Sequence, residues 1–313
     1  MHMARFSATG AATSGFGLIG REPLAVLVWG LVVLVVLILP CFGLVWAVFP
    51  DFVSFAKLTE APGGDPSGQA AISQMMQLQS KMMLFNLIYL VGGTGVKAVL
   101  AAAVFRAVLE PGQKGFAYLK LGAQELWLAL VSLVMGILAY MACMAAMIVV
   151  AICAAIAYFA GAQSGQAAGI GACILVAVIL GLAATAVLIW AMLRLSMAGP
   201  MSFSERKFLL FDSWTFTRGQ TLPLLGMTLL LGLIIVALEL VLYAVFGVGV
   251  FAFGLKLVPQ MQAMMGQPPE AWLRLLWPYV AGFAFVGSLL SGPAMALVFA
   301  PWATAYRDLK ASA

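Results

Sequence analysis

Charge is scarce in this chain. Only 16 lysines and arginines and 11 aspartates and glutamates occur among 313 residues. Six stretches are almost free of them, at roughly 24–49, 83–106, 126–159, 169–193, 222–246 and 277–303. With 64% of residues hydrophobic and a mean hydropathy of +1.09, a soluble fold could not hide the apolar surface from water. Histidine is nearly missing as well, the single one being His2 near the start of the chain. That excludes a Ser-His-Asp triad, a Cys-His pair and ordinary histidine metal sites. No Gly-x-x-x-x-Gly-Lys-Ser/Thr run is present to cradle phosphates. No two carboxylates face each other within one apolar stretch: Glu22, Glu110, Glu125, Glu205 and Asp212 fall between stretches, each with a basic neighbour. Cysteine is limited to Cys41, Cys143, Cys153 and Cys173, all in apolar surroundings and none in a C-x-x-C pair. They read as packing residues. The absences together argue against an enzyme, and no cofactor or metal is expected.

What is present is hydrocarbon-compatible helix. About 20 apolar residues cross a bilayer core of about 30 Å, and all six stretches meet that length. Each exceeds a signal-peptide core of about 7–15 residues, and the first reads as a retained span. The short gaps leave no room for a soluble domain, so residues 1–313 are expected to form a single integral membrane domain. The fold class expected is all-α, a polytopic membrane helix bundle with six transmembrane helices arranged as three hairpins. Arg5, Arg21, Arg106, Lys114, Lys120, Arg194, Arg206, Lys207, Arg218, Arg307 and Lys310 fall on alternate gaps, counting both termini. Lys57, Lys81, Lys256 and Arg274 fall on the others. Eleven against four, with Lys97 left inside a span, places both termini in the cytoplasm by the positive-inside rule. The net charge of +5 then reports topology and attraction to anionic headgroups. No basic run interleaved with aromatics points to nucleic acid.

Each returning helix reaches the inner face at an arginine: Arg106, Arg194 and Arg307. Partly polar stretches containing aromatics precede the outgoing helices, at 16–23, 116–127 and 208–218. These are expected to be short amphipathic helices on the cytoplasmic interface. The outer connections are 50–82, the turn near 161–165, and 256–276. The stretches Gln74–Met83 and Pro259–Met265 are expected to cap the bundle or to lie on the outer leaflet. Their methionines, Met75, Met76, Met82, Met83, Met261, Met264 and Met265, read as apolar filler, with a Cu(I) site as the alternative. Pro40, Pro293 and Pro301 are expected to kink their helices. Gly92-Gly93-Thr94-Gly95 is expected to let another helix approach closely. Trp29, Trp46, Trp127, Trp190, Trp272, Trp277 and Trp302 lie near span ends and read as interfacial anchors.

Two ionisable residues are expected inside spans, Lys97 and Glu239. A charge at depth is costly and marks a functional candidate. Lys97 lies about 13 Å, and Glu239 about 25 Å, from the inner ends of their helices at about 1.5 Å per residue. A direct pair therefore requires tilt or a shifted helix boundary. Snorkelling or structural pairing is one reading, and a coupling or substrate role is the other. Arg106, Arg194, Arg206, Lys207 and Arg218 are the candidates for headgroup or partner contact.

Arg194-Leu-Ser-x-Ala-x-Pro200, with the later Ser213-Trp-x-x-Thr-Arg-Gly219, resembles a pattern in a broad group of bacterial polytopic proteins. The group includes YciC-like inner-membrane proteins and the membrane domain fused to some glycerophosphodiester phosphodiesterases. Phe105-Arg106-Ala-Val-Leu-x-Pro111 and Phe116-Ala-Tyr-Leu-x-Leu-Gly122 are similar to alphaproteobacterial members. The resemblance covers nearly the whole chain. It implies a six-span protein of the bacterial inner membrane, tied to envelope or lipid homeostasis. It implies no phosphodiesterase activity, since the catalytic barrel is missing. The expected function is non-enzymatic organisation of envelope or membrane lipid, as a scaffold or partner-binding subunit. Its partners would be membrane lipids and either a second copy or another membrane protein. The alternative is a transporter or channel-like protein for a small or lipidic substrate.

Overall fold

The computed structural model describes residues 7–60, 69–263, 267 and 269–312. Among the described residues the chain is all-α, with no strand. Two short helices, α1 (Ala8–Ala12) and α2 (Ser14–Arg21), precede the first apolar rod. That rod joins α3 (Pro23–Val33), a π-helical turn over Leu34–Ile38, and α4 (Leu39–Glu60). Then come α5 (Gln69–Leu109), a 3-10 turn over Phe116–Tyr118, α6 (Ala123–Ala162) and α7 (Gln166–Leu195). The short α8 (Ala198–Glu205) and α9 (Asp212–Phe216) lead into α10 (Thr221–Ala263) and α11 (Pro269–Ser312).

Among the described residues, six helical segments are long and apolar enough to cross a membrane: Pro23–Phe55, Ala71–Leu109, Phe116–Ala162, Gln166–Glu205, Thr221–Leu255 and Arg274–Ala311. Each contains the whole of one of the six stretches expected from hydropathy. The protein is a multi-pass membrane protein. Local signals explain the helix ends. Pro23 opens α3, where its missing N–H costs nothing. Glu125 sits in the first turn of α6, with its carboxylate folded toward Gly122, where negative charge suits the helix dipole. Pro40 cannot donate to Val36, and its ring crowds that carbonyl. The π turn just before it, in which the Leu39 N–H reaches back to the Leu34 carbonyl, widens the helix and absorbs that conflict.

The helices run further than hydropathy alone suggests. Gln74–Met83 is part of α5, which is 41 residues long. No glycine or proline interrupts residues 69–91, and Gln, Met, Ala, Lys and Leu all favour helix. The stretch therefore continues the span instead of lying apart from it. Lys81 reaches Asp51 across the α4–α5 pair at 2.7 Å, and Gln74 donates to the Ser54 hydroxyl. Pro259 is likewise inside α10. The side chains of Met261, Met264 and Met265 lie outside the described residues. Of the three expected interfacial helices, α2 and α9 are helical, whereas the middle segment holds only the 3-10 turn before α6 begins.

The chain gathers into two compact units. One comprises Ala12–Lys120 and Leu229–Pro301. In it α11 approaches α2 and α3 through glycine. A Cβ on Gly15 would lie 2.7 Å from the Leu297 Cα, and one on Gly30 would lie 2.7 Å from the Ser288 carbonyl oxygen. A Cβ on Gly292 would fall on the Val26 carbonyl. Phe105 meets Phe299 edge-on, while Phe246–Phe283 and Phe253–Tyr279 join α10 to α11 in antiparallel order. By contrast, a Cβ on Gly92, Gly93 or Gly95 would meet nothing within 4 Å. The close approach expected there occurs at Gly15, Gly30 and Gly292 instead. Trp29 is fully buried in this unit, not an interfacial anchor.

The other unit comprises Met1–Ala11, Leu121–Thr228 and Trp302–Ala313. Its main feature is the α6–α7 hairpin, closed where Gly161 and Gly169 each lie against the facing backbone. Beside the first turns of α6, Val131, Ala198 and Leu210 form a small core flanked by Val134, Met135, Leu195 and Phe208. Beyond that core the hairpin exposes its large side chains on all sides, including Ile137, Met147, Ile156, Ile174 and Leu182. This is the surface that hydrocarbon would cover.

Candidate functional site

A buried, hydrogen-bonded polar cluster lies at the end of α7. The Ser213 hydroxyl donates to the Arg194 carbonyl at 2.9 Å, and the Thr217 hydroxyl shares its one proton between that carbonyl at 3.0 Å and the Ser213 carbonyl at 2.8 Å. Helix-terminal carbonyls lack intrahelical donors, and α9 with the residue that ends it supplies them. Ser213 and Thr217 are fully buried as a result. The Arg194 guanidinium lies 5.2 Å from the Trp214 ring and 5.8 Å from the Trp190 ring. Those two rings meet edge-on at 5.0 Å. A cation against indole faces is favourable, the more so away from water. The two segments quoted for the family resemblance are thus one object: Ser213, Trp214 and Thr217 are the residues that clamp Arg194. Gly219, at φ 81°, turns the chain away after α9.

The α8–α9 elbow is fixed in the same way. Gln124 donates to the Phe203 carbonyl at 3.2 Å, and the Leu209 N–H donates to the buried Ser202 hydroxyl at 3.0 Å. Lys310 meets Glu205 at 2.6 Å. Arg206 takes left-handed backbone angles, φ 55° and ψ 39°, as it ends α8. The turn leaves Arg206, Lys207 and Arg218 exposed. None of the three side chains makes a salt bridge or hydrogen bond among the described residues. Asp212 is exposed on the same elbow.

Arg106 differs from these three. It is 1% exposed, and its guanidinium donates to the Tyr118 carbonyl. It therefore holds the 110–120 loop and offers little surface to a headgroup. Trp29 makes a parallel contact, its indole N–H donating to the Ala117 carbonyl at 2.9 Å. Ala117 and Tyr118 both have positive φ, 51° and 60°, which costs non-glycine residues energy that surrounding contacts must offset. Glu22 ties the loop to the start of α3, accepting from Lys114 at 2.7 Å and from the Tyr118 hydroxyl at 2.9 Å. The Lys114 hydrogen bond, then that of Tyr118, holds the Glu22 carboxyl below its ordinary value, and Glu22 in turn raises Lys114. Trp29 and Tyr118 were missed in the sequence. Nothing distinguishes a clamping tryptophan from an anchoring one until the loop it holds is placed.

Lys97 and Glu239 are both exposed, and no salt bridge or hydrogen bond joins either to another group among the described residues. Neither lines the described cavities. All four cysteines are free. No cluster of three or more His, Cys, Asp or Glu residues suited to a metal occurs among the described residues. Met75, Met76, Met82 and Met83 all lie exposed on α5.

Comparison with known proteins returned no match to any protein-family model, to any curated protein or to any solved structure.

Proposed function

We propose that this protein is a non-enzymatic organiser of lipid in a bacterial inner membrane, with both termini cytoplasmic and Arg206, Lys207 and Arg218 gripping anionic headgroups at the inner face. The single observation that carries the reading is the clamped elbow. Buried hydroxyls and an indole-packed arginine hold it in place, while the side chains of Arg206, Lys207 and Arg218 are exposed and make no salt bridge or hydrogen bond among the described residues. A rigid scaffold presenting cations lowers the ordering cost of binding. Each basic residue near an anionic surface contributes about 1 kcal/mol, so three contribute roughly 3 kcal/mol at low salt. The short α2 and α9, which precede outgoing helices, would lie along the same interface. The motif resemblance to YciC-like proteins points the same way, toward envelope or lipid homeostasis, with lipid or a membrane protein as partner.

The test is the lipid shell of the protein extracted into nanodiscs. The native chain should be enriched in phosphatidylglycerol relative to the bulk membrane, and the enrichment should fall on combined Arg206→Gln, Lys207→Gln and Arg218→Gln. An unchanged shell would remove the headgroup role. Turnover of a lipid or phosphodiester by the purified chain, abolished by substitution of a residue in the elbow, would remove the non-enzymatic one. Transport remains the second reading, supported by two charges within apolar spans, Lys97 and Glu239.

A further inference from the structure

A cavity of ≈570 Å³ lies between α4 and α11, lined by Phe42, Gly43, Trp46, Arg274 and Trp277. Its volume falls within the range of about 300–1,000 Å³ typical of small-molecule sites. Among the described lining residues, Phe42, Trp46 and Trp277 are aromatic. Phe42 and Trp277 meet edge-on with centroids 5.1 Å apart, and Trp46 and Trp277 do so at 6.0 Å. The rings pack on one another as a single wall, not as a box around a central point. Trp46 and Trp277 nevertheless remain 59% and 39% exposed, so the wall has an uncovered face. At Gly43 a Cβ would meet no atom within 4 Å. The glycine is not needed for helix packing, and its place opens onto free space. Arg274, one turn before Trp277 on α11, is exposed and makes no salt bridge or hydrogen bond among the described residues.

The lining selects its occupant. A small hydrated anion would find one guanidinium but would lose water against apolar walls with nothing in return. A quaternary ammonium would find the aromatic faces but would be repelled by Arg274. A molecule with an anionic oxygen head and a hydrocarbon tail satisfies both halves. Arginine is permanently charged and offers paired N–H donors to a carboxylate or phosphate, while the tail covers the rings. The sequence places Trp46 at the end of the first span and Trp277 at the start of the sixth, hence on the same side of the bilayer, at the level where amphiphiles also position head and tail. We infer that this cavity is a saturable binding site for an anionic amphiphile, its head on Arg274 and its chain along Phe42, Trp46 and Trp277, with Gly43 leaving the room. The inference deepens the lipid reading above by naming a ligand class. It needs the membrane location only, not the role given to Arg206, Lys207 and Arg218.

The experiment is tryptophan quenching of the purified full chain in non-ionic detergent by dibromostearate, with competition by unlabelled compounds. Saturable quenching is expected. It should weaken at least about tenfold in Gly43→Phe, which places a ring in the cavity at a position where a Cβ would meet no atom within 4 Å, and about tenfold in Arg274→Gln, which removes the charge-assisted contact. The triple variant at Arg206, Lys207 and Arg218 should quench as the native chain does, which separates this site from the inner-face proposal. Competition by stearate alone would identify a free fatty acid as the source, and competition by phosphatidylglycerol would identify a phospholipid; either agrees with the site. Non-saturating quenching, or quenching equal in Gly43→Phe and the native chain, would overturn it. So would displacement by inorganic phosphate, or by dodecyltrimethylammonium more strongly than by stearate. Arg274 is on the surface, so Arg274→Gln keeps the test decisive if the Gly43 variant does not fold.

Discussion

Single residues in this protein do their most legible work through hydrogen bonds to backbone carbonyls. Ser213 and Thr217 share the Arg194 carbonyl as acceptor. Replacing both with Ala and Val should cost about 2 kcal/mol, at about 1 kcal/mol per bond. The single variants should cost less than half of that each, because either hydroxyl alone still serves the same oxygen. Thermal unfolding in detergent measures this, and Thr217→Ser should recover most of the loss. The Glu22–Lys114 pair gives a pH signature. The folded carboxyl of Glu22 is lowered from 4.5, so its contribution is present above that value and is lost as pH falls through the lower folded one. Lys114 is raised from 10.5, so its contribution is present below that value and is lost as pH rises through the higher folded one. Amide-exchange protection in the 110–120 loop, taken relative to the intrinsic rate at each pH, should therefore be greatest between these limits, and Glu22→Gln should flatten the acid side of the profile. The charged residues at both sites stand out in the sequence, but their partners do not. Arg106 and Arg194 look alike as cations closing a span. Only the fold separates a buried guanidinium on a loop carbonyl from one held between two indoles.

At the scale of elements, the six apolar stretches announce the spans because a lipid solvent forbids charge and rewards unbroken helix. The start of each helix follows from residues such as Pro23 and Glu125. Helix partners are less visible. The conspicuous small-residue run, Gly92-Gly93-Thr94-Gly95, is open, whereas the isolated Gly30 and Gly292 carry the tight crossing. A glycine's use depends on what faces it, and that information is non-local. Gly292→Ala should destabilise the protein by about 2–3 kcal/mol, since the new methyl meets backbone that cannot step aside. Gly92→Ala should leave stability unchanged or raise it by up to about 1 kcal/mol. Comparing the two in one detergent removes solvent as a variable. The lengths of α5 and α10 are a second lesson. Polar Gln, Ser and Lys residues made 69–82 look like a connection, yet they are good enough helix formers to continue the rod once a span nucleates it.

For the whole molecule, the side on which each connector lies can be read by cysteine accessibility. With basic connectors inside, cysteines placed at Lys114 and Lys207 should resist a membrane-impermeant maleimide in intact cells, while one at Gln77 should be labelled. The reverse pattern would invert the chain. The α6–α7 hairpin adds a constraint of its own. Residues 126–162 and 166–193 carry no charge, so even the shorter arm is apolar for about 42 Å at about 1.5 Å per residue. A hydrocarbon layer of about 30 Å leaves about 12 Å of that arm unmatched. Tilting the hairpin, or thickening the lipid around it, costs a fraction of a kcal/mol for each ångström of mismatch. The protein should therefore be more stable in bilayers of longer acyl chains, and in a membrane of uneven thickness it should gather where the layer is deepest.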